Sequence, residues 1–277
     1  MVYKLLILER DGPIATITLN RPDVGNAFNI FLMNELDAAI REVGMDSDIR
    51  AVIMTGAGKH FSTGIDLSMF ADLGKQAAEL NEEQRTQAML DPEDQTYGKG
   101  TLIATVVRIR NMNKPVIAAI NGAAVGAALG LALACDIMIA SDKARFSMVF
   151  VKRGIVPDTA GSFTLPRIVG LHRACELTLT GDTIDAAEAD RIGLVNRVVP
   201  HDDLMKAARE LAERIAKNPP LAVGMAKTAL HTAMAGTDIL EHMQHEVELQ
   251  KKLLDTEDFM EAATAFLEKR EPVFKGK

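Results

Sequence analysis

The sequence predicts an α/β fold, with repeated β-β-α units over residues 1–200 and an all-helical region over residues 201–277. Three observations carry this prediction. Apolar runs at Arg50–Thr55 and Pro115–Ile120 each end in a glycine break, Gly56 and Asn121-Gly122, and further apolar runs stand at Ile137–Ala140 and around Phe146–Val151. The stretch from Gly126 to Asp136 is Ala, Gly and Leu with almost no polarity, as a helix buried on every side requires. Beyond Val199 the apolar spacing becomes helical and stays so.

Taken in order, Lys4–Glu9 and Ile14–Leu19 flank Asp11-Gly12, and Ala15, Ile17 and Leu19 alternate with Thr16 and Thr18, which predicts a hairpin. Leu32, Leu36, Ala39, Ile40 and Val43 recur at helical spacing between Asn29, a capping residue, and Gly44. Arg50–Thr55 reads as a buried strand, followed by a loop and His60–Leu67. Ala71–Gly100 is polar and acidic, broken by Pro92, and reads as a partly helical surface excursion. Lys114–Asp136 reads as strand, Asn-Gly turn and buried helix. Asp185 to Glu188 has the pattern of a helix start, and Gly193–Val199 is expected to be the last strand, ending at Pro200. Leu204, Ala208, Leu211 and Ile215 mark a helix that stops before Pro219-Pro220. Ile239, Met243 and Val247 mark another, and Phe259, Ala263, Phe266 and Leu267 a third, capped by Thr256. Such a tail is expected to pack on its own core or on neighbouring subunits.

Composition narrows the function classes. The 277 residues are 48% apolar, enough for a substantial core, and the net charge of −7 argues against a nucleic-acid partner. The Gly126 region also has the small-residue spacing of packed membrane helices. Its Ala and Gly give little insertion energy, however, and Asn121 and Asp136 bound it, so no membrane partner is expected. Cys135 and Cys175 stand in apolar contexts without metal-ligand spacing, and no leader-like segment opens the chain, so a cytoplasmic protein is expected.

No metal, phosphate-loop or dinucleotide signature is present, and none of the bound metals or cofactors such motifs serve is expected. His242 and His245 lie three apart beside Glu246 without the spacing of a zinc helix, and His60, His172, His201 and His231 are isolated. Ser62 lacks the context of a nucleophilic serine. Two backbone features remain. Thr63-Gly64-Ile65-Asp66 is a turn that presents the Ile65 N–H, and Ala127 occupies the first turn of the buried helix. Two converging N–H groups would make an oxyanion hole, and two tight turns would satisfy the same spacing.

Several motifs together resemble the crotonase, or enoyl-CoA hydratase/isomerase, family. They are Asn20-Arg21-Pro22 with Asn26-Ala27, FSTGIDL, NGAAVGAALGLALACDIMIA, GIVPDTAG at Gly154–Gly161, LTLTGDTIDAAEADRIGLVNRVV and AFLEKREPVFKGK. The resemblance implies a crotonase-like spiral of β-β-α repeats with a C-terminal α-helical oligomerisation region, building a homotrimer or a hexamer of paired trimers. It implies an acyl-CoA substrate, with coenzyme A entering only as part of that substrate, and a thioester oxygen held by the N–H groups of Ile65 and Ala127. Around the substrate it places Ala27, Phe28, Thr63, Gly64, Asp66, Leu67, Gly126 and Phe150, and it sends Lys269 toward a neighbouring subunit's coenzyme A.

The resemblance also exposes a departure. Gly130 and Phe150 stand where the hydratases carry two glutamates, which leaves Asp158 as the candidate acid-base residue. The reading that follows is double-bond isomerisation with Asp158 as the proton shuttle. A hydratase or hydrolase that activates water through Asp158 is one alternative, and a silent coenzyme A-binding protein is another.

Overall fold

A computed structural model describes residues 2–66, 68–69, 102–236 and 238–277. The expected excursion Ala71–Gly100, and Leu67, lie outside the described residues. Among the described residues six strands form one sheet in the spatial order β1 (Leu6–Asp11), β2 (Ile14–Leu19), β3 (Ala51–Gly56), β4 (Val116–Ile120), β6 (Ile137–Ser141) and β9 (Arg197–Val199). The first pair is antiparallel, with Leu6 opposite Leu19 and Asp11 opposite Ile14, and every later pair is parallel. A smaller sheet joins β5 (Ala123–Val125), β7 (Arg145–Ser147) and β8 (Thr183–Asp185). From β4 to β7 successive strands enter the large sheet and the small sheet by turns, with a helix between β5 and β6, which is the expected β-β-α spiral.

The strands of the large sheet read as unbroken apolar runs because both faces are covered. On one face Val52, Met54, Val116, Ala118 and Met138 pack among α1 (Ile30–Met45), α2 (Leu102–Asn111) and α3 (Ala127–Ala134). On the other, Ala51, Ile53, Ile117, Ala119 and Ile139 meet Leu204, Ala208 and Ala212 of α7 (Leu204–Ala216). The two sets alternate along each strand, as the pleat demands. All eight residues of α3 are buried. Asn29 caps α1 by accepting the Leu32 N–H at 2.9 Å. Asp37, fully buried in α1, holds the α2 residue Arg108 at 2.7 Å.

After β7 come α4 (Gly161–Val169), α5 (Leu171–Thr180) and α6 (Ala186–Arg191), and after α7 come α8 (Pro220–Met234), α9 (Ile239–Leu254) and α10 (Glu257–Glu268). Lys227 of α8 is buried, donating to the carbonyls of Ile109 at 2.7 Å and Lys114 at 3.0 Å and pairing with Asp136 at 2.8 Å. Burial pushes its pKa down, and the Asp136 charge opposes that. Asp136 also accepts the Val116 N–H at 2.8 Å and holds His231 at 2.8 Å, so one carboxylate ties α8 to the sheet. The C-terminal tail returns to the core. Buried Asp258 accepts the N–H groups of Lys275 at 2.7 Å and Gly276 at 2.8 Å, and Arg50 donates to the Phe274 carbonyl at 2.6 Å.

Three expectations need correction. The Asn121-Gly122 break is followed by the strand β5 before the helix begins. The strand expected around Phe146–Val151 ends at Ser147, where the Gly126 N–H caps its pairing, and the chain tightens into a helical turn over Val149–Arg153. Pairing in Gly193–Val199 begins only at Arg197, because Gly193 and Leu194 bond back to the end of α6. The helix before Pro219-Pro220 stops where expected, at Ala216, but Pro220 itself starts a helix the sequence analysis did not mark, α8, since proline at the first helical position sacrifices no bond. In addition, Cys175 is exposed rather than apolar in setting, while the Cys135 thiol is buried and its pKa raised by that burial. Among the described residues no helix is long and apolar enough to cross a membrane.

Asp258→Ala removes the acceptor for two tail N–H groups. We expect a loss of about 1.5–3 kcal/mol in denaturant unfolding and faster trimming of the tail by carboxypeptidase; an unchanged midpoint and trimming rate would show that the tail is held by other contacts.

Candidate active site

The site forms where residues 61–66 run beside the small sheet. Ser62 donates to the Ala123 carbonyl at 2.9 Å and accepts the Val125 N–H at 3.2 Å. Phe28 bridges the next residues, donating to the Gly64 carbonyl at 2.8 Å and accepting the Asp66 N–H at 2.9 Å. Because Phe28 bonds to the two neighbours of Ile65, the N–H of Ile65 itself points the other way. Gly64 makes that possible: its φ is +94°, and a Cβ there would stand 2.7 Å from the Val125 carbonyl oxygen and 3.9 Å from the Ala127 nitrogen.

Across this contact, α3 begins. Its first intrahelical bond runs from the Gly130 N–H to the Gly126 carbonyl at 3.0 Å, which leaves the Ala127 N–H ahead of the ladder. Among the described residues neither the Ile65 nor the Ala127 N–H has a hydrogen-bond partner. Both residues line one cavity of about 440 Å³. Two free donors and the positive end of a helix facing a largely apolar cavity suit an oxygen on which negative charge develops.

The wall opposite is a turn held by buried groups. Asn26, at φ +57°, donates to the carbonyls of Ala57 at 2.9 Å and His60 at 2.7 Å and accepts the Arg21 N–H at 2.8 Å. This fixes Ala27 at the cavity and Phe28, fully buried, behind it. The Ser62 hydroxyl donates to the Asn26 carbonyl at 2.8 Å and accepts the Gly64 N–H at 3.2 Å, a structural role. Asp66 lines the cavity but is engaged: Ser68, through its hydroxyl at 2.8 Å and its N–H, and Arg21 at 3.3 Å hold its carboxyl below the usual range.

Asp158 closes the site from the loop before α4. Desolvation raises its pKa, opposed by its own N–H and that of Thr159, and among the described residues it has no ion pair. Val149, Phe150 and Ile155 give the cavity its apolar side, and Arg153 stands at it without an ion pair among the described residues. Behind Asp158, Thr159 packs on α3 at Gly130. A Cβ on Gly130 would lie 1.9 Å from Thr159 Oγ1, 2.8 Å from its Cβ and 3.0 Å from its carbonyl oxygen. No side chain longer than hydrogen fits there.

The structure therefore brings together Ala27, Thr63, Gly64, Ile65, Asp66, Gly126, Ala127, Phe150 and Asp158 around one cavity. Phe28 supports it from beneath. Lys269, left-handed at φ +55° and exposed at the end of α10, does not line it, and Leu67 is outside the described residues. No histidine lines it either: His60 accepts the Ala123 N–H, His201 meets Ser141 and His231 meets Asp136. Among the described residues no cluster could hold a metal ion. The sequence analysis passed over Arg153, Val149, Ile155 and Thr159. Their shared signal was the break at Gly154, which turns Val149–Arg153 over the cavity.

Gly130→Ala forces Thr159, and with it the Asp158 loop, off α3. A stability loss of about 1–3 kcal/mol is expected, partly restored by adding Thr159→Gly; a Gly130→Ala protein as stable as the wild type would contradict the contact.

A family model described as enoyl-CoA hydratase/isomerase matches residues 9–277. The probable enoyl-CoA hydratase of Mycobacterium tuberculosis is 39% identical over 274 residues, covering 99% of both chains. The short-chain-enoyl-CoA hydratase of Clostridium acetobutylicum is 40% identical over 268 residues, covering 96% of this chain and 95% of that one. The crystal structure of an enoyl-CoA hydratase from Bacillus anthracis superposes with a TM-score of 0.86 at 35% identity, covering 99% of this chain and 100% of the other. Matches that run the length of the chain, on a fold that carries two free N–H groups at one cavity, show that it belongs to the enoyl-CoA hydratase/isomerase family.

Proposed function

We propose that this family member moves a double bond within an enoyl-CoA, with Asp158 as proton shuttle and the Ile65 and Ala127 N–H groups as oxyanion hole. Asp158 is the observation that carries this reading. Among the described residues it is the lining carboxylate without an ion pair, on a residue that stays exposed while partial desolvation of its carboxyl raises the pKa, whereas Asp66 is held ionised by Ser68 and Arg21. A 3-enoyl thioester binds with its carbonyl oxygen between the two N–H groups. The Asp158 carboxylate takes a proton from C2, and the electrons pass to the thioester oxygen as a dienolate. The Asp158 acid then returns that proton to C4 and the double bond settles between C2 and C3. Mass is conserved, and coenzyme A takes part only as the carrier of the acyl group. Two free donors are the main source of rate here, each worth about 100- to 1000-fold in related chemistry.

The relatives are named hydratases, and hydration is the second reading. What favours isomerisation is the filling of the space beside Gly130 by Thr159, together with the apolar Phe150: neither position offers a carboxylate to hold water. The exposed apolar row Ile239, Leu240, Met243 and Val247 on α9 supports self-association through the tail, which we read as the homotrimer or paired trimers implied by the family resemblance, with Lys269 assigned to a neighbouring site on the same ground.

Asp158→Asn tests the assignment in two ways. Incubated with 3-enoyl-CoA, the wild type should shift the double bond at constant mass and the variant should lose about 100- to 10,000-fold in kcat. Gain of one water by the wild type would establish hydration instead, and an Asp158→Asn protein as fast as wild type would remove Asp158 from the mechanism. The second readout is stability. A carboxyl whose folded pKa is raised favours the fold in its neutral form, so its contribution is full below the ordinary carboxylate pKa and lost as pH rises through the raised value. Because Asp158 is exposed and solvent screens its charge, the asparagine variant should gain only slightly in stability at neutral pH and lose that gain in acid. The acidic limb of the wild-type rate profile should lie above the ordinary aspartate range.

A further inference from the structure

We propose that a second cavity, between α2, α4 and α8, binds an anion with an apolar body, separately from the acyl-CoA site. The cavity measures about 530 Å³, within the roughly 300–1,000 Å³ typical of small-molecule sites. Its walls are apolar, with Phe163, Ile168, Leu230 and Met234 prominent, and two guanidinium groups stand at it. Both lie near one aromatic ring: Arg167 is 3.7 Å from the Phe163 centroid and Arg110 is 5.8 Å from it.

The charges there do not balance internally. Arg110 makes no hydrogen bond or direct ion pair among the described residues; burial lowers its pKa, the nearby Asp136 charge partly opposes that, and Arg167 adds repulsion. Arg167 bonds to the carbonyls of Met234 at 2.9 Å and Phe163 at 2.8 Å, neither of which neutralises it. Asp136 is the one carboxylate among the lining residues, and it is taken: Lys227 and the Val116 N–H fill one oxygen and His231 the other. The Nδ1 of His231 is buried at this cavity without a partner. A half-buried guanidinium with no direct ion pair among the described residues, its nearest carboxylate Asp136 already engaged by Lys227 and His231, carries a desolvation cost that a bound carboxylate or phosphate would offset, and a planar carboxylate suits the fork of Arg110. The surrounding side chains would cover the apolar remainder of such a ligand. In a chain with a net charge of −7, a pocket with an excess of positive charge is a local arrangement rather than a reflection of composition.

The proposal does not depend on the reading of Asp158, since the two cavities share no lining residue. Octanoate, octan-1-ol and inorganic phosphate, titrated calorimetrically into the full chain, separate the contributions. Octanoate should bind saturably, with the neutral alcohol and the bare phosphate at least ten-fold weaker. Arg110→Gln, which breaks no hydrogen bond, should weaken octanoate at least ten-fold while leaving acyl-CoA turnover unchanged, and Leu230→Glu should do the same by repulsion. Phosphate binding as tightly as octanoate would replace the amphiphile by a simple anion and overturn the apolar part. No saturable octanoate binding, or binding that survives Arg110→Gln, would overturn the site, the second result assigning the octanoate to the acyl-CoA cavity.

Discussion

The approach of one backbone to another at Gly64 and Val125 is the constraint on which the site depends. Two successive turns of the spiral carry one N–H each, and they face one cavity only because nothing larger than hydrogen separates them there. The buried hydrogen bonds around Asn26, Ser62 and Phe28 hold the first turn in place, and the buried α3 holds the second. Backbone donors have no rotamers to order. Once the turns are fixed, the donors are preorganised, and in an apolar cavity they face little competition from solvent.

Around this fixed centre the side chains are divided by their partners. Asp66 and Asp158 reach the same space, but the first is tied into a turn and the second is left to the apolar wall of Phe150 and Ile155. Environment, not residue type, separates the two carboxylates. The pairing of Gly130 with Thr159 adds a steric side to the same choice. A helix that keeps hydrogen at residue 130 admits a threonine on the loop, and a helix with a carboxylate there would expel it, so the two positions form one unit. Behind the site, the Lys227–Asp136–His231 group binds α8 to the start of β4, which runs through β5 into α3.

Much of this was legible in the sequence because period and punctuation agreed. Asn29, Asp185 and Thr256 were legible as caps since a short polar side chain before a periodic apolar run has one favourable use, and each accepts the expected N–H. The buried helix was plain from its lack of any polar face. Ile65 and Ala127 were placed at turns by glycine spacing, but their convergence was not in the spacing. It arises from pairing between Ser62 and Ala124 of β5, 62 positions apart, which leaves no local pattern. Short strands failed for the same reason: three residues of β5 or β7 are too few to show a period, and only a partner strand makes them β. Arg110 was invisible because an arginine in the last turn of a helix looks like a complement to the dipole, and only packing shows that it makes no direct ion pair among the described residues.

The order of strands in the large sheet has a consequence for how the chain is made. From β1 to β9 each strand lies beside the one laid down before it in that sheet, so the sheet can grow outward during synthesis without any placed strand moving to admit a later one. One face can be covered early, by α1, α2 and α3. The other must wait for α7, and the Arg50 guanidinium waits longer still, for the Phe274 carbonyl 224 residues away. A nascent chain halted before residue 204 therefore presents Ile53, Ile117 and Ile139 bare to its surroundings, a half-clad sheet that attracts chaperones.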